Sequence, residues 1–101
     1  MASKYSIVYT PSAKRDLDEI YEYIAGEFYS PDIARRQVSR IVRAVKTLAV
    51  FPKMYRVRRK NTGIRICPVD NYMIVYSVDD ENNIVNISRI IYSRRNLDAI
   101  I

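Results

Sequence analysis

Two helix-start signals organise the first half of the chain. Thr10-Pro11 and Ser30-Pro31 each place a hydroxyl at an N-cap and a proline at the first helical position, where its missing N–H is not needed. Behind Pro11, Ala13, Leu17, Ile20 and Ile24 recur at spacings of four and three, with Asp16, Asp18, Glu19 and Glu22 off the stripe, which predicts an amphipathic helix to about Phe28. Behind Pro31, Asp32 puts an acid in the first turn, where the helix dipole favours it. Ala34, Val38, Ile41, Val45 and Leu48 then continue the same rhythm until Phe51-Pro52 ends it. Two such helices in succession make an αα-hairpin, and its apolar stripes require a second layer to cover them.

That layer is supplied by strand material on either side. Tyr5 to Tyr9 is β-branched and aromatic and precedes the first helix; Tyr55 to Arg59, Ile64 to Val69, Tyr72 to Val78 and Ile84 to Tyr92 follow the second. Lys60 to Gly63, Asp70-Asn71 and Asp79 to Asn83 separate these runs, and Asp70-Asn71 fits a tight two-residue hairpin because both residues tolerate positive φ. Pro68 inside its run predicts a bulge or an edge position. A short terminal helix is expected from Asn96 to Ile101. The expected fold is therefore an α+β, β-α-α-β-β-β two-layer domain, with the helical hairpin on one face of an antiparallel sheet and the other face partly open.

With 101 residues, 49% of them hydrophobic and 28% charged, the chain reads as one globular domain over 1–101. The lone Cys67, the lack of an apolar leader behind Met1 and the absence of any long apolar run predict a cytoplasmic protein with no membrane partner. Cys67 itself reads as a buried strand cysteine, since no histidine exists to activate it. The same lack of histidine excludes a Cys/His zinc site, a Ser-His-Asp triad and a histidine base, and no glycine-rich phosphate loop occurs. No cofactor and no metal are expected.

The net charge of +6 favours an anionic partner. Arg35, Arg36, Arg40, Arg43 and Lys46 line the outer face of the second helix, either as a solvated face or as a docking face. In the run holding Ile64 and Ile66, Arg65 points the opposite way, and if the isoleucines are core it belongs to the open face. Arg89 interrupts the row Val85, Ile87, Ile91: it is either a structural arginine paired with a buried acid or carbonyls, or a residue that a bulge turns toward the cleft. Lys53, Arg56, Arg58, Arg59, Lys60, Arg94 and Arg95, interleaved with Tyr55, Tyr72, Tyr76 and Tyr92, supply cations and stacking rings suited to single-stranded RNA.

The whole pattern resembles the RelE/ParE toxin superfamily. Tyr5 to Ala13 followed by Asp16 to Ile24 is similar to the family's opening. Leu48 with Phe51-Pro52, Arg65, Val69, Asn71 to Tyr76 and Ile87 to Arg95 match its later landmarks, so that the resemblance spans nearly the entire chain. It implies a bacterial toxin with a cognate antitoxin that wraps it, acting by RelE-like cleavage of mRNA in the ribosome or, alternatively, by ParE-like poisoning of DNA gyrase; outside the family, the alternative is a non-catalytic basic nucleic-acid-binding module. For the nuclease, a ribose 2′-OH attacks the neighbouring phosphate, and Arg65 with Arg89 or Arg94 would clamp it while Tyr92, Lys53 or Lys60 moved the proton. RelE-like nucleases carry a tyrosine or histidine after the terminal arginines; here Asn96 to Ile101 stands there and only Tyr92, before them, offers a substitute. The long helices look more like the ParE side, which needs no covalent chemistry.

Overall fold

A computed structural model describes residues 4–58 and 62–94. The elements run β1 (Ser6–Tyr9), α1 (Pro11–Glu27), α2 (Pro31–Val50), β2 (Arg65–Val69), β3 (Tyr72–Asp79) and β4 (Ile84–Tyr92). Both caps form as the sequence predicts: Thr10 Oγ1 accepts the Ala13 N–H at 3.0 Å and Ser30 Oγ the Ile33 N–H at 3.3 Å. The terminal helix expected over 96–101 lies outside the described residues.

The strands form one sheet in the order β1-β4-β3-β2, with β2-β3-β4 an antiparallel meander and β1 joining β4 in parallel. The sheet is thus mixed, because the helical hairpin carries the chain back before β4 begins. The helices cover one face: Ala13, Ile20 and Ile24 of α1 and Ala34, Ile41, Val45 and Leu48 of α2 share a buried cluster with Cys67, Ile74, Tyr76, Val85, Ile87 and Ile90. At roughly 1.5–3 kcal/mol for each large apolar side chain buried, this cluster is the main source of stability. On the other face Val75 and Ile91 pack with Ile64, Ile66 and Met73 in a second, smaller cluster.

Three expectations are corrected. Tyr55 to Arg59 forms no strand among its described residues; it makes only the isolated bridge Val57 to Arg65, because β2 is the sheet edge and the segment is held from the side instead. Ile64 and Ile66 belong to the second cluster rather than under the helices. Arg65 consequently shares the helix-side row with Cys67 and Val69, opposite the fully buried Tyr76, and does not lie on the open face. Pro68 occupies the edge strand, where its missing N–H breaks no ladder. The two-residue hairpin forms, with Val69 opposite Tyr72, but only Asp70 takes positive φ, 55°.

β4 carries the irregularity that matters most. Pairing steps from Tyr76–Ile87 to Val75–Arg89, leaving Ser88 as the extra residue of a bulge. The step changes which parity faces the helices: Val85 and Ile87 precede it in the main core, and Ile90 follows. The apolar row that Arg89 seemed to interrupt in fact shifts to Ile90.

Candidate functional site

Thr10 ties the bulge to the first helix. Its N–H donates to Ile87 O at 3.0 Å and its hydroxyl donates to Ser88 O at 2.8 Å while accepting from Ala13. One turn further along α1, Asp16 meets the β4 edge that short β1 leaves uncovered. Its Oδ2 accepts the buried Ile90 N–H at 2.9 Å and Arg89 Nε at 2.8 Å, and its Oδ1 accepts Arg89 Nη2 at 3.1 Å. Of the two alternatives for Arg89, the paired acid holds, and the bulge supplies the geometry for it. The Asp16 carboxylate, 9% exposed, raises the Arg89 pKa above its ordinary value through this hydrogen bond, against the opposing cost of desolvation.

Beyond Arg89 lies an aromatic group. Tyr72 and Tyr92 meet edge to face with ring centroids 5.7 Å apart. Burial raises the Tyr72 pKa, with smaller contributions from Tyr92 and from Tyr23 of α1. Tyr92 is exposed on its strand end, and Arg94 follows, exposed, in a turn where Ser93 N–H donates to Asn71 O at 2.8 Å.

A second cluster forms at the other end of the sheet. Arg65 Nη1 donates to Tyr55 O at 2.6 Å and the Tyr76 hydroxyl to Pro52 O at 2.9 Å, so two sheet side chains pin the connection between α2 and β2 by its carbonyls. Burial pushes the Tyr76 pKa up to about 12. Lys53 Nζ donates to Asp80 Oδ2 and the Tyr5 hydroxyl to Asp80 Oδ1, both at 2.7 Å, which holds the Asp80 carboxyl below its ordinary range and raises Tyr5. Arg56 and Arg58 are exposed on this connection. Cys67 is buried, and desolvation raises its thiol pKa, opposite to what a nucleophile needs.

The predicted residues therefore separate into two groups. Lys53 and Arg65 act on the same carboxylate, Asp80; Arg89 pairs with Val75, next to the Tyr76 that Arg65 opposes, and Tyr92 and Arg94 follow it toward the end of β4. Among the described residues no hydrogen bond, ion pair or ring contact joins Arg65 to Arg89 or Tyr92. Arg59, Lys60 and Arg95 lie outside the described residues. Sequence reasoning missed Asp16, which it placed among the solvent-exposed acids. The available signal was its position between Ala13 and Ile20, three residues after one and four before the other, on the buried side of α1. No cluster of metal-ligating side chains occurs among the described residues, and no helix there is long and apolar enough to cross a membrane.

The helical hairpin laid on a β1-β4-β3-β2 sheet is a fold this chain shares with solved toxin structures of the RelE/ParE type. Residues 7–97 match the family described as ParE toxin of type II toxin-antitoxin system, parDE, and the chain belongs to that family. The chain is similar to the chromosomal ParDE toxin-antitoxin system from P. aeruginosa, at 25% identity and a TM-score of 0.74 over 89% of this chain and 97% of that one. It shares its fold with the RelBE2 toxin-antitoxin complex from Mycobacterium tuberculosis, at 23% identity and a TM-score of 0.67 over 91% and 94%. The isolated E. coli RelE toxin shares it more distantly, at 12% identity and a TM-score of 0.57 over 95% and 92%. No curated protein matches the sequence.

Proposed function

We propose that this chain is a growth-arresting toxin that acts by binding DNA gyrase and is held inactive by a cognate antitoxin. The observation that carries this reading is the commitment of the arginines. The Arg89 guanidinium is closed on Asp16 and that of Arg65 donates into the backbone at Tyr55, so each is held by a different acceptor within the chain. A nuclease needs several such groups converging on one phosphate.

Five of the tyrosines are poorly suited to act as a base. A tyrosine base requires a lowered pKa, whereas burial raises Tyr9, Tyr55, Tyr72 and Tyr76, and the hydrogen bond to Asp80 raises Tyr5. A toxin that works by occupying a protein target needs no base. Membership of the ParE family and the likeness to the P. aeruginosa ParDE system support that target class and an antitoxin partner.

The test combines two readouts. Purified chain is added to a DNA gyrase supercoiling reaction, and the same chain is induced in bacteria while labelled amino-acid incorporation is followed. Inhibited supercoiling with translation initially intact is the expected result. A prompt fall in translation with cut mRNA, and an unaffected gyrase, would replace this reading with the ribosome-dependent nuclease.

A further inference from the structure

Charge is divided unequally between the two helices. α1 carries Asp16, Asp18, Glu19, Glu22 and Glu27 against Lys14 and Arg15, whereas α2 carries Arg35, Arg36, Arg40, Arg43 and Lys46 against Asp32 alone. All the cations of α2 are exposed. Asp32 pairs with Arg35, and Asp70 reaches Arg40 from the turn between β2 and β3, both in exposed pairs. Among the described residues no carboxylate pairs with Arg36, Arg43 or Lys46.

Solubility does not account for this face. A solvated helix face gains from opposite charges three or four residues apart, whereas here Arg36 and Arg40, Arg40 and Arg43, and Arg43 and Lys46 are like-charged neighbours at those spacings, which weakens a helix. The fold carries an arrangement that works against it.

The geometry defines what would fit. With about 100° of turn per residue, Arg36, Arg40 and Arg43 form one row along the helix, and Arg35 and Lys46 a second row roughly 100° around from it, with the Ser39 hydroxyl between them. At 1.5 Å per residue the rows extend over roughly 15 Å. No large apolar side chain is exposed between Arg35 and Lys46, and no aromatic ring lies there. An acidic protein segment would gain only exposed ion pairs on such a surface, and these contribute little. A nucleic acid adds the release of condensed counterions for each phosphate neutralised. Single strands are held by stacking on rings, which this face lacks. Among duplexes, B-form DNA has a major groove about 12 Å wide that admits an α-helix between two phosphate rows, whereas the A-form groove of RNA is too narrow.

We infer that the outer face of α2 binds the backbone of duplex DNA, an activity of this chain that goes beyond the function proposed above and does not depend on it. One row of cations meets the phosphates of one strand and the second row those of the other. Such contacts position the protein without reading base sequence.

The test is fluorescence anisotropy of a short labelled DNA duplex of arbitrary sequence, titrated with the full chain in the absence of gyrase. Micromolar binding is expected at about 50 mM salt, weakening with a log–log salt slope of about −3 to −4.5. Arg36→Gln combined with Arg43→Gln should weaken binding about tenfold or more and make the slope shallower by about 2. Glutamine is a good helix former, and circular dichroism should show the fold unchanged. Arg56→Gln combined with Arg58→Gln removes the same charge from the connection before β2 and should leave the slope as it is. A single strand of the same sequence, the matching RNA duplex and a polyglutamate peptide should each bind at least several-fold more weakly. No binding of the DNA duplex, a loss in the α2 pair no greater than in the Arg56 and Arg58 pair, or any of the three competitors bound as tightly as the DNA duplex would each overturn the inference. Gyrase inhibition is read in a separate reaction, so a chain that inhibits gyrase but ignores duplex DNA overturns this inference alone.

Discussion

Replacing Asp16 separates two contributions that one carboxylate makes. In Asp16→Ala, the Ile90 N–H loses its acceptor inside the protein, which costs about 1–3 kcal/mol for an unsatisfied buried donor. The variant also releases Arg89. That side chain is 31% exposed and regains some water, so the loss falls well short of the roughly 3–5 kcal/mol of breaking a fully buried pair and is nearer about 1 kcal/mol. The expected total is about 2–4 kcal/mol, or a fall in Tm of roughly 10–25 °C for a domain of this size. Asp16→Asn keeps an oxygen for Ile90 and gives up only the charge, so it should cost about 1 kcal/mol.

The assay is urea unfolding followed by circular dichroism, with each variant also made in an Arg89→Met background. There Asp16→Asn should become nearly neutral, since no guanidinium remains to lose, while Asp16→Ala should still carry the Ile90 penalty. Two results would refute the reasoning. If alanine and asparagine at 16 cost the same, the Ile90 bond contributes nothing. If the asparagine cost is unchanged by Arg89→Met, the ion pair does not couple α1 to β4. The series also bears on function: a toxicity defect in Arg89→Met that scales with lost folded protein marks Arg89 as a structural arginine, whereas a defect at full folding marks a residue that meets the target.

Three other perturbations test different parts of the structure. Gly26, exposed in α1, has no atom within 4 Å of an added Cβ, so Gly26→Ala should stabilise by about 0.5–1 kcal/mol, and an unchanged or lower Tm would contradict that geometry. Tyr76 titrates at about 12 in the folded chain, above its unfolded value near 10, so its contribution is complete below pH 10 and is lost as pH rises from about 10 to about 12. Tyr76→Phe should cost about 1 kcal/mol at neutral pH through the abandoned Pro52 carbonyl, and should show a shallower alkaline fall in denaturant midpoint; an identical fall would refute the assignment. Asp70 is held below its ordinary pKa by hydrogen bonds from Gln37 and then Arg40, so its contribution is present above pH 4 and is lost as pH drops through the lowered value. Arg40→Gln should flatten part of that acid limb in thermal melts between pH 5 and about 2, and should change little at neutral pH because the pair is solvent-exposed.

How far the fold was legible in the sequence follows from where its information is local. The caps at Thr10 and Ser30, the stripes on α1 and α2 and the Asp70-Asn71 turn are specified by residues within a few positions of one another, and all appear. The parallel docking of β1 beside β4 depends on where the hairpin returns the chain, which no local pattern encodes. The placing of Ile64 and Ile66 failed for a related reason. Alternation shows that Arg65 opposes them, but not which row faces the helices, and Cys67 and Val69 were the members of the other row that settle it.

The candidate site was legible in its residue types and not in its geometry. Arg89 stood out because it broke an apolar row, and the alternation rule behind that reading assumes an unbroken strand. Ser88 adds one residue, the parity changes, and Ile90 takes the core position, leaving Arg89 to reach Asp16 across 73 positions of sequence. Asp16 and Arg89 each violated the pattern of its own element, an acid on a buried helix side and a base in an apolar row. Two such violations of opposite sign in one small domain are economically explained by pairing them, since the Asp16 carboxylate alone would be buried without a counter-charge. The same rule separates basic residues elsewhere: Arg89, Arg65 and Arg40 have acceptors within this chain, whereas Lys46 and Arg56 are exposed to solvent, where a charge carries no such cost.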